Sequence, residues 1–261
     1  MTLFGIGSGR TITVWVPANF LMIALAIFVV AFITILFTKI DEPEQAPVDM
    51  GLVKGALKYR HFVLGIIGIF VYMSIEVGTP TYVNMYLVNT PELGINAATA
   101  GLIVAVYWAL MMVGRFVGAS IGSKVSSRAM LTTVSIATLL LVSFGMFAPT
   151  DITVSVPGID WANLKLIWAN VPVGIFAFLL VGLCTSVMWG GIFNMAVEGL
   201  GKYTAVASGI FMTMVFGCAV MMGIQGYVAD LTDYMTSFWV IEFCAAYLWF
   251  YALVGSKPAK K

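Results

Sequence analysis

Charge is scarce in this sequence. Lysine, arginine, aspartate and glutamate together make up 10% of the 261 residues, whereas hydrophobic residues make up 61%. An average soluble domain has about 25% charged residues. The composition therefore excludes an ordinary soluble domain and predicts an integral membrane protein. The formal net charge of +1 gives no reason to expect a nucleic-acid partner.

Cysteine and histidine are also rare. The three cysteines, Cys184, Cys218 and Cys244, fall inside apolar runs and have neither disulfide nor metal-ligand spacing. The sixteen methionines are dispersed along the chain without a short repeated spacing. We therefore predict no disulfide, no metal site and no cofactor. The single histidine, His61, begins an apolar run, and we expect it to be solvated.

Long apolar runs dominate what is present. A run of about 20 apolar residues is enough to cross a bilayer as a helix. Seven such runs occur, at residues 15–37, 62–88, 97–122, 129–147, 171–197, 204–228 and 237–254. Backbone polar groups find no water inside a bilayer, so each run must be helical. The predicted fold class is an all-α polytopic membrane protein with seven transmembrane helices.

Basic residues predict the orientation of these spans, because cytoplasmic loops carry an excess of lysine and arginine. The segments of one side hold most of them: Lys39, Lys54, Lys58, Arg60, Lys124, Arg128, Lys202, Lys257, Lys260 and Lys261. The opposite segments hold Arg10 and Lys165 together with several acids. We therefore expect a cytoplasmic carboxyl terminus, an external amino terminus and a location in the inner (cytoplasmic) membrane.

The longest polar stretch, "KIDEPEQAPVDMGLVKGALKYRH", follows the first span and predicts a cytoplasmic linker at residues 41–61. Residues 62–261 would then form a six-helix bundle. The middle helix of each triplet in this bundle carries small residues, which allow close helix packing: Gly114, Gly118 and Gly122 in one, Gly217, Gly223 and Gly226 in the other. The pattern is typical of a 3+3 inverted repeat. An external amino terminus before an odd number of spans also predicts further chain upstream.

The stretch "GIFVYMSIEVGTPTYVNMYL" at residues 68–87 places an acid and a helix interruption within a span. An ionisable residue at bilayer depth costs about 2.5–3.5 kcal/mol on insertion scales and usually faces a bundle interior or a watery cavity. Helical spacing puts Tyr72, Glu76 and Thr79 on one face. Gly78 and Pro80 are expected to break the helix, as in transporter helices that line a central site. The alternative is a structural acid satisfied by a neighbouring helix.

Three stretches carry a family likeness: "GIFVYMSIEVGTPTYVNMYL", "GRFVGASIG" and, most specifically, "GGIFNMAVEGLGKYTAVASGIFMTMVFG". The sequence resembles the carboxyl-terminal half, plus the preceding helix, of a major facilitator superfamily transporter, and within it the fucose, galactose and glucose proton symporter family. The resemblance implies two six-helix halves with a sugar site between them, alternately open to either side. Residues 1–40 would be an outer segment and the last helix of a missing amino-terminal half. That half carries the family's acids best associated with proton coupling.

Several polar and aromatic side chains are candidates for lining such a sugar site. Hydroxyls and amides can hydrogen-bond a sugar, and a tryptophan ring can stack on it. Beside Tyr72 and Glu76, we name Tyr82, Asn84, Trp108, Trp189, Asn194 and Gln225. Two alternatives stay open: Tyr82 as an interfacial anchor, and the tryptophans as packing residues.

Charged residues near the predicted cytoplasmic helix ends form a second group. The resemblance suggests that Arg115 pairs with Glu198 and closes the cytoplasmic side in one state, with Arg128 beside them. The alternative is that the basic residues anchor the helices in the cytoplasmic interface with snorkelling side chains.

The function expected is secondary active transport of a hexose or related sugar across the inner membrane, coupled to protons, by a chain that is only part of the transporter. Its partners would be the sugar, the proton, the lipid bilayer and the missing half. A non-transporting fragment is the main alternative. A membrane-embedded enzyme is disfavoured, because the spans offer no nucleophile with a base, paired carboxylates or metal site.

Overall fold

A computed structural model describes residues 15–38, 50–160 and 165–257 of the chain, with backbone alone for residues 15–21, 159 and 160. The first 14 residues and the first part of the expected linker, residues 41–49, lie outside this description. The chain divides into two compact units, residues 1–47 and 48–261. The first unit contains helix α1, Trp15–Phe37, which has the bounds predicted for the first span.

The second unit is a bundle of helices. Three helices run without interruption: α5 (Ala97–Ile121), α6 (Ser127–Phe147) and α7 (Val173–Val197). The others are short or composite: α2 (Met50–Ala56), α3 (Arg60–Met73), α4 (Thr79–Asn89), α8 (Thr204–Thr213), α9 (Gly217–Leu231), α10 (Tyr234–Ser237) and α11 (Trp239–Phe250). A π-helical turn, Ser74–Gly78, joins α3 to α4, and another, Tyr251–Gly255, ends α11.

Six helical rods in the described residues are long and apolar enough to cross a membrane: Arg60–Asn89, Ala97–Ile121, Ser127–Phe147, Val173–Val197, Gly201–Leu231 and Tyr234–Gly255. They match the last six predicted runs to within a few residues. The fifth rod is less regular than expected, because a 3₁₀ turn at Met214–Phe216 separates α8 from α9.

A β-hairpin lies between α6 and α7, where the sequence analysis predicted only a loop and an early start of the next span. Strands β1 (Thr153–Asp160) and β2 (Lys165–Pro172) pair antiparallel, with Thr153 opposite Pro172. Residues Val171 and Pro172 belong to β2 and not to the membrane helix. Valine, isoleucine, threonine and tryptophan in these two segments favour strands.

Helix α7 is at the centre of the bundle and packs against α3, α5 and α6. Its apolar side chains Phe178, Met188 and Ile192 are fully buried. Close approach of α5 depends on two of its predicted small residues, because a Cβ at Gly114 would meet Ser186 and a Cβ at Gly118 would meet Val187. In the other predicted set, a Cβ at Gly217 would meet Phe70, but Gly223 faces open space.

Polar side chains define where several helices begin. Asn96 accepts a hydrogen bond from the Thr99 backbone N–H at 2.8 Å, and Ser126 accepts one from Ala129 at 3.2 Å. Asp233 caps α10 in the same way, and the Thr236 hydroxyl that donates to it holds the pKa of this exposed carboxyl below its ordinary value. Side-chain oxygens at these positions satisfy backbone N–H groups left free at a helix start.

Candidate functional site

Glu76 lies in the π-helical turn Ser74–Gly78, one helical turn before the predicted break at Gly78 and Pro80. The α-helical hydrogen-bond pattern changes at this turn, but the helix does not end, because Thr79–Asn89 continues directly after it. Proline at the second position of α4 has no backbone N–H, which leaves a carbonyl of this turn without its usual donor. A π-helical turn of this kind often marks a functional site.

Arg115 of α5 forms an ion pair with Glu76, with 3.6 Å between Nη2 and Oε1. The Glu76 side chain is 13% exposed and that of Arg115 is 61% exposed. This pairing differs from the expected one between Arg115 and Glu198, which is not among the ion pairs of the described ranges. The reason is position: Arg115 lies more than one turn before the end of α5 at Ile121, level with the π-helical turn.

Three hydroxyl side chains, those of Tyr72, Tyr107 and Thr185, form hydrogen bonds close to the π-helical turn. Tyr72 is fully buried and donates to the Thr185 carbonyl at 3.2 Å. The Tyr107 hydroxyl lies 3.2 Å from the Thr185 hydroxyl and 3.5 Å from the Ile75 carbonyl of the π-helical turn. These contacts connect α3, α5 and α7 around Glu76. Of the predicted face, Thr79 is also fully buried.

Trp189 of α7 joins the same region. Its ring meets the Tyr72 ring edge-on at 6.1 Å and the Phe211 ring at 5.7 Å. Trp189 is half-buried, so part of its ring remains open to a ligand. Aromatic rings in this setting can pack on the apolar face of a sugar.

A cavity of about 250 Å³ opens between α5, α7 and the start of α6. It brings together two predicted residues, Arg115 and Asn194, and places Ser186 beside them. Gly118, Gly122, Gly190 and Gly191 form part of the wall. The cavity therefore combines hydrogen-bond donors and acceptors with a backbone-rich surface.

The other predicted sugar-site residues are dispersed. Trp108 is 43% exposed and packs edge-on against Tyr107, and Asn84 is half-buried on α4. Tyr82 is buried and donates to the Met222 carbonyl at 2.7 Å. Gln225 is fully buried on α9; its Oε1 faces Gly78, and its Nε2 lies 3.5 Å from Ser237. The structure thus places Tyr82 and Gln225 inside the bundle.

The helix ends near α2 form a separate polar cluster. His61 is 1% exposed and its Nε2 lies 2.8 Å from the Glu198 carbonyl, so the expectation that His61 is solvated was wrong. The loop after α7 folds over this residue, because Gly199 and Gly201 turn the chain at positive φ. Tyr251 donates to the His61 carbonyl at 3.3 Å.

Two features escaped the sequence analysis. Glu242 of α11 accepts a hydrogen bond from Ser143 of α6 at 2.7 Å; its signal was a single acid in the apolar run 237–254. A cavity of about 620 Å³ lies between the hairpin and the loop after α4, lined by residues that include Glu92, Asp151 and Trp168. This cavity could hardly be predicted from the sequence, because its walls depend on the hairpin.

Across residues 15–38, 50–160 and 165–257, no three histidine, cysteine or acidic side chains cluster closely enough to hold an ion. Cys184 and Cys244 are buried free thiols, and Cys218 is partly buried.

The fold resembles about half of two solved transporter structures. A crystal structure of the major facilitator transporter FucP in the outward conformation superposes with a TM-score of 0.68 at 20% identity, over 88% of this chain and 52% of that one. A second structure, the E. coli fucose:proton symporter FucP, superposes equally well and is covered to 53%. No family model matches the sequence.

Curated relatives narrow the assignment. A glucose/galactose transporter of Brucella abortus is 32% identical over 240 residues, which are 91% of this chain and 53% of that protein. A putative glucose/galactose transporter of Helicobacter pylori is 26% identical over 243 residues, or 90% and 54%. The chain is similar to these transporters along nearly its whole length. It spans about half the length of the curated relatives it matches.

Proposed function

We propose that the chain is the carboxyl-terminal half, with one preceding helix, of a proton-coupled hexose transporter. The observation that carries this proposal is the Glu76–Arg115 ion pair in the membrane rods of a chain whose relatives are glucose/galactose transporters. Trp189 packs against Tyr72, about one helical turn before Glu76. Charged groups at bilayer depth mark substrate and ion pathways in most membrane proteins.

The open side chains of the site have the chemistry to hold a sugar. Arg115 offers planar N–H donors, Asn194 offers both a donor and an acceptor, and the rings of Trp108 and Trp189 offer faces for stacking. The carboxyl of Glu76 offers oxygens that accept hydrogen bonds from sugar hydroxyls. Asn84 extends the polar surface along α4.

Buried members of the predicted set have a positioning role in this proposal. Tyr72 holds α3 against α7, Tyr82 holds α4 against α9, and Gln225 packs on the π-helical turn at Gly78. They hold the turn and therefore orient Glu76.

Transport requires the second half. Alternating access rocks one six-helix bundle against the other around a site at their interface, and the exposed parts of Arg115 and Trp108 would face that interface. In this arrangement α1 is a seventh span and the last helix of the other half, and the six rods form a 3+3 inverted repeat.

The orientation follows from charge. One end of the bundle carries basic residues, including Lys124, Arg128 and Lys202, whereas the hairpin end carries the acids Glu92, Asp151 and Asp233. By the positive-inside tendency, the basic end and the carboxyl terminus are cytoplasmic, in the inner membrane. The His61–Glu198 contact, with Arg128 nearby, would then form part of the cytoplasmic gate.

The test is to supply the other half. The amino-terminal half of the B. abortus relative is co-expressed with this chain, and the uptake of labelled glucose, galactose and fucose is measured under an inward proton gradient. We expect uptake when both halves are present, and at least a tenfold loss with Glu76→Gln. Glu92→Gln, outside the membrane rods, is the matched control. Co-purified, inserted halves that take up none of the three sugars would overturn the proposal.

A further inference from the structure

Glu242 is an acid within the membrane that the sugar site does not use. It lies in the first turn of α11, and its side chain is half-buried against α6. The Ser143 hydroxyl donates to Oε1 at 2.7 Å. The second oxygen, Oε2, is buried and has no hydrogen-bond partner among the described residues.

No positive charge reaches this carboxyl in the described part of the chain, where Arg115–Glu76 is the sole ion pair between side chains. The basic residue of α6, Arg128, lies 15 residues before Ser143, or about 22 Å along the helix axis. On α3, Arg60 and His61 lie at the opposite end of the rod. His61 is also engaged by the Glu198 carbonyl.

The other titratable groups on elements packed against α11 leave Oε2 without a donor. Tyr247 donates to the Leu64 carbonyl, Tyr251 donates to the His61 carbonyl, and Tyr234 is bonded to Asn89. The remaining groups on α3, the π-helical turn, α7, α9 and α11 itself are Tyr72, Glu76, Cys184, Cys218, Tyr227, Asp230 and Cys244.

An ionised carboxylate in this place would be a buried charge without a counterion, and one of its oxygens would lack a donor. Both conditions cost free energy in an apolar medium. A neutral carboxyl meets the geometry better. Its carbonyl oxygen, Oε1, accepts from Ser143, and its hydroxyl oxygen, Oε2, carries the proton.

We propose that Glu242 is a proton-binding site of this half, held between α6 and α11 and occupied at neutral pH. Glu76, by contrast, has Arg115 as a counterion at 3.6 Å. The proposal deepens the proposed proton-coupled function and rests on it only for the use of the proton. The protonation itself is measurable without transport.

A hydrophobic carbodiimide distinguishes the two acids. The protonated carboxyl adds its O–H across one C=N bond of the carbodiimide, which forms an O-acylisourea. The acyl group then moves from oxygen to nitrogen and gives a stable N-acylurea. No atom leaves, so the mass of the chain rises by one carbodiimide. An ion-paired carboxylate has no proton to add.

The experiment treats the purified 261-residue chain, in lipid nanodiscs at pH 7, with dicyclohexylcarbodiimide and maps the added mass by peptide mass spectrometry. We expect labelling at Glu242 that is lost in Glu242→Gln and kept in Glu76→Gln. Labelling at Glu76, or no labelling at Glu242 in the inserted protein, would overturn the proposal.

Infrared spectroscopy supplies an independent readout. The chain should show a protonated-carboxyl C=O band at pH 7 that disappears in Glu242→Gln. Ser143→Ala, which keeps the carboxyl, should move this band to higher frequency because Oε1 loses its hydrogen bond. If Glu242→Gln fails to fold, the frequency shift of the C=O band in Ser143→Ala still tests whether Glu242 is protonated. A missing band, or a band that Ser143→Ala leaves unmoved, would contradict protonation at this site. A failure of sugar uptake would change neither readout.

Discussion

Nη2 of Arg115 lies 3.6 Å from Oε1 of Glu76 and connects helix α5 to the π-helical turn between α3 and α4. The two charges come from different rods, so the pair ties the conformation of the turn to the position of α5. Any change in protonation of Glu76, or any ligand that competes for Arg115, therefore acts on the packing of these rods. This coupling makes the pair the centre of the proposed site.

Neutralising either member alone should strand the other charge, whereas neutralising both should not. A double-mutant cycle with Glu76→Gln and Arg115→Gln should give a coupling free energy of about 1–2 kcal/mol, below the value for a fully buried pair because Arg115 is largely exposed. Unfolding of the detergent-solubilised chain measures it. The parallel cycle with Glu198→Gln and Arg115→Gln should be additive, and coupling there would restore the originally expected pair.

Helix packing at α5 gives a prediction with an internal control. Gly118→Ala should be less stable than Gly101→Ala by about 1–3 kcal/mol, because a methyl group at Gly118 meets Val187 and one at Gly101 meets nothing within 4 Å. Both substitutions are on one helix and change the same group. Equal unfolding midpoints for the two variants would show that α5 and α7 do not approach as described.

We expect the buried side chain of His61 to stabilise the fold through its hydrogen bond to the Glu198 carbonyl. His61→Phe should lower the free energy of unfolding by about 1–2 kcal/mol, since the Glu198 carbonyl then loses its donor. His61→Gln retains an N–H group and should lose less. A solvated His61 would instead give two variants as stable as the parent chain.

Asp233 should stabilise α10 in a pH-dependent way. Its pKa is lower in the folded chain, so its contribution is present above its unfolded pKa and is lost as the pH falls through the folded value. Asp233→Ala should therefore cost about 1 kcal/mol at pH 7 as a lost helix cap, and less at pH 3. Asp151→Ala, at another exposed acid, is the control. A cost that stays constant over this range would contradict the assignment.

The spans were predictable because bilayer thickness and backbone hydrogen bonding leave few choices for apolar runs. The sequence also indicated close packing at Gly114 and Gly118, whereas at Gly78 and Pro80 the structure has a π-helical turn in place of the expected break. The ion-pair partner of Arg115 was not predictable from the sequence. Arg115 could reach Glu76 or Glu198 by sequence, and only the register between α5 and α3 decides between them.

Burial of polar residues also needed the structure. Tyr82 and Gln225 have the chemistry of sugar ligands, yet their contacts with Met222 and Gly78 place them inside the bundle. His61 is covered by a loop whose course depends on two glycines with positive φ. Such tertiary contacts leave no mark in periodicity or composition.

The proposed function implies that this chain carries one half of a sugar site and needs the second half to complete a transport cycle. The direct measurement reconstitutes the purified 261-residue chain in vesicles, imposes an inward proton gradient, and follows labelled glucose, galactose and fucose. We expect the chain to insert and to show no accumulation above that of empty vesicles. Gradient-dependent accumulation of any of these sugars by the chain alone would contradict it.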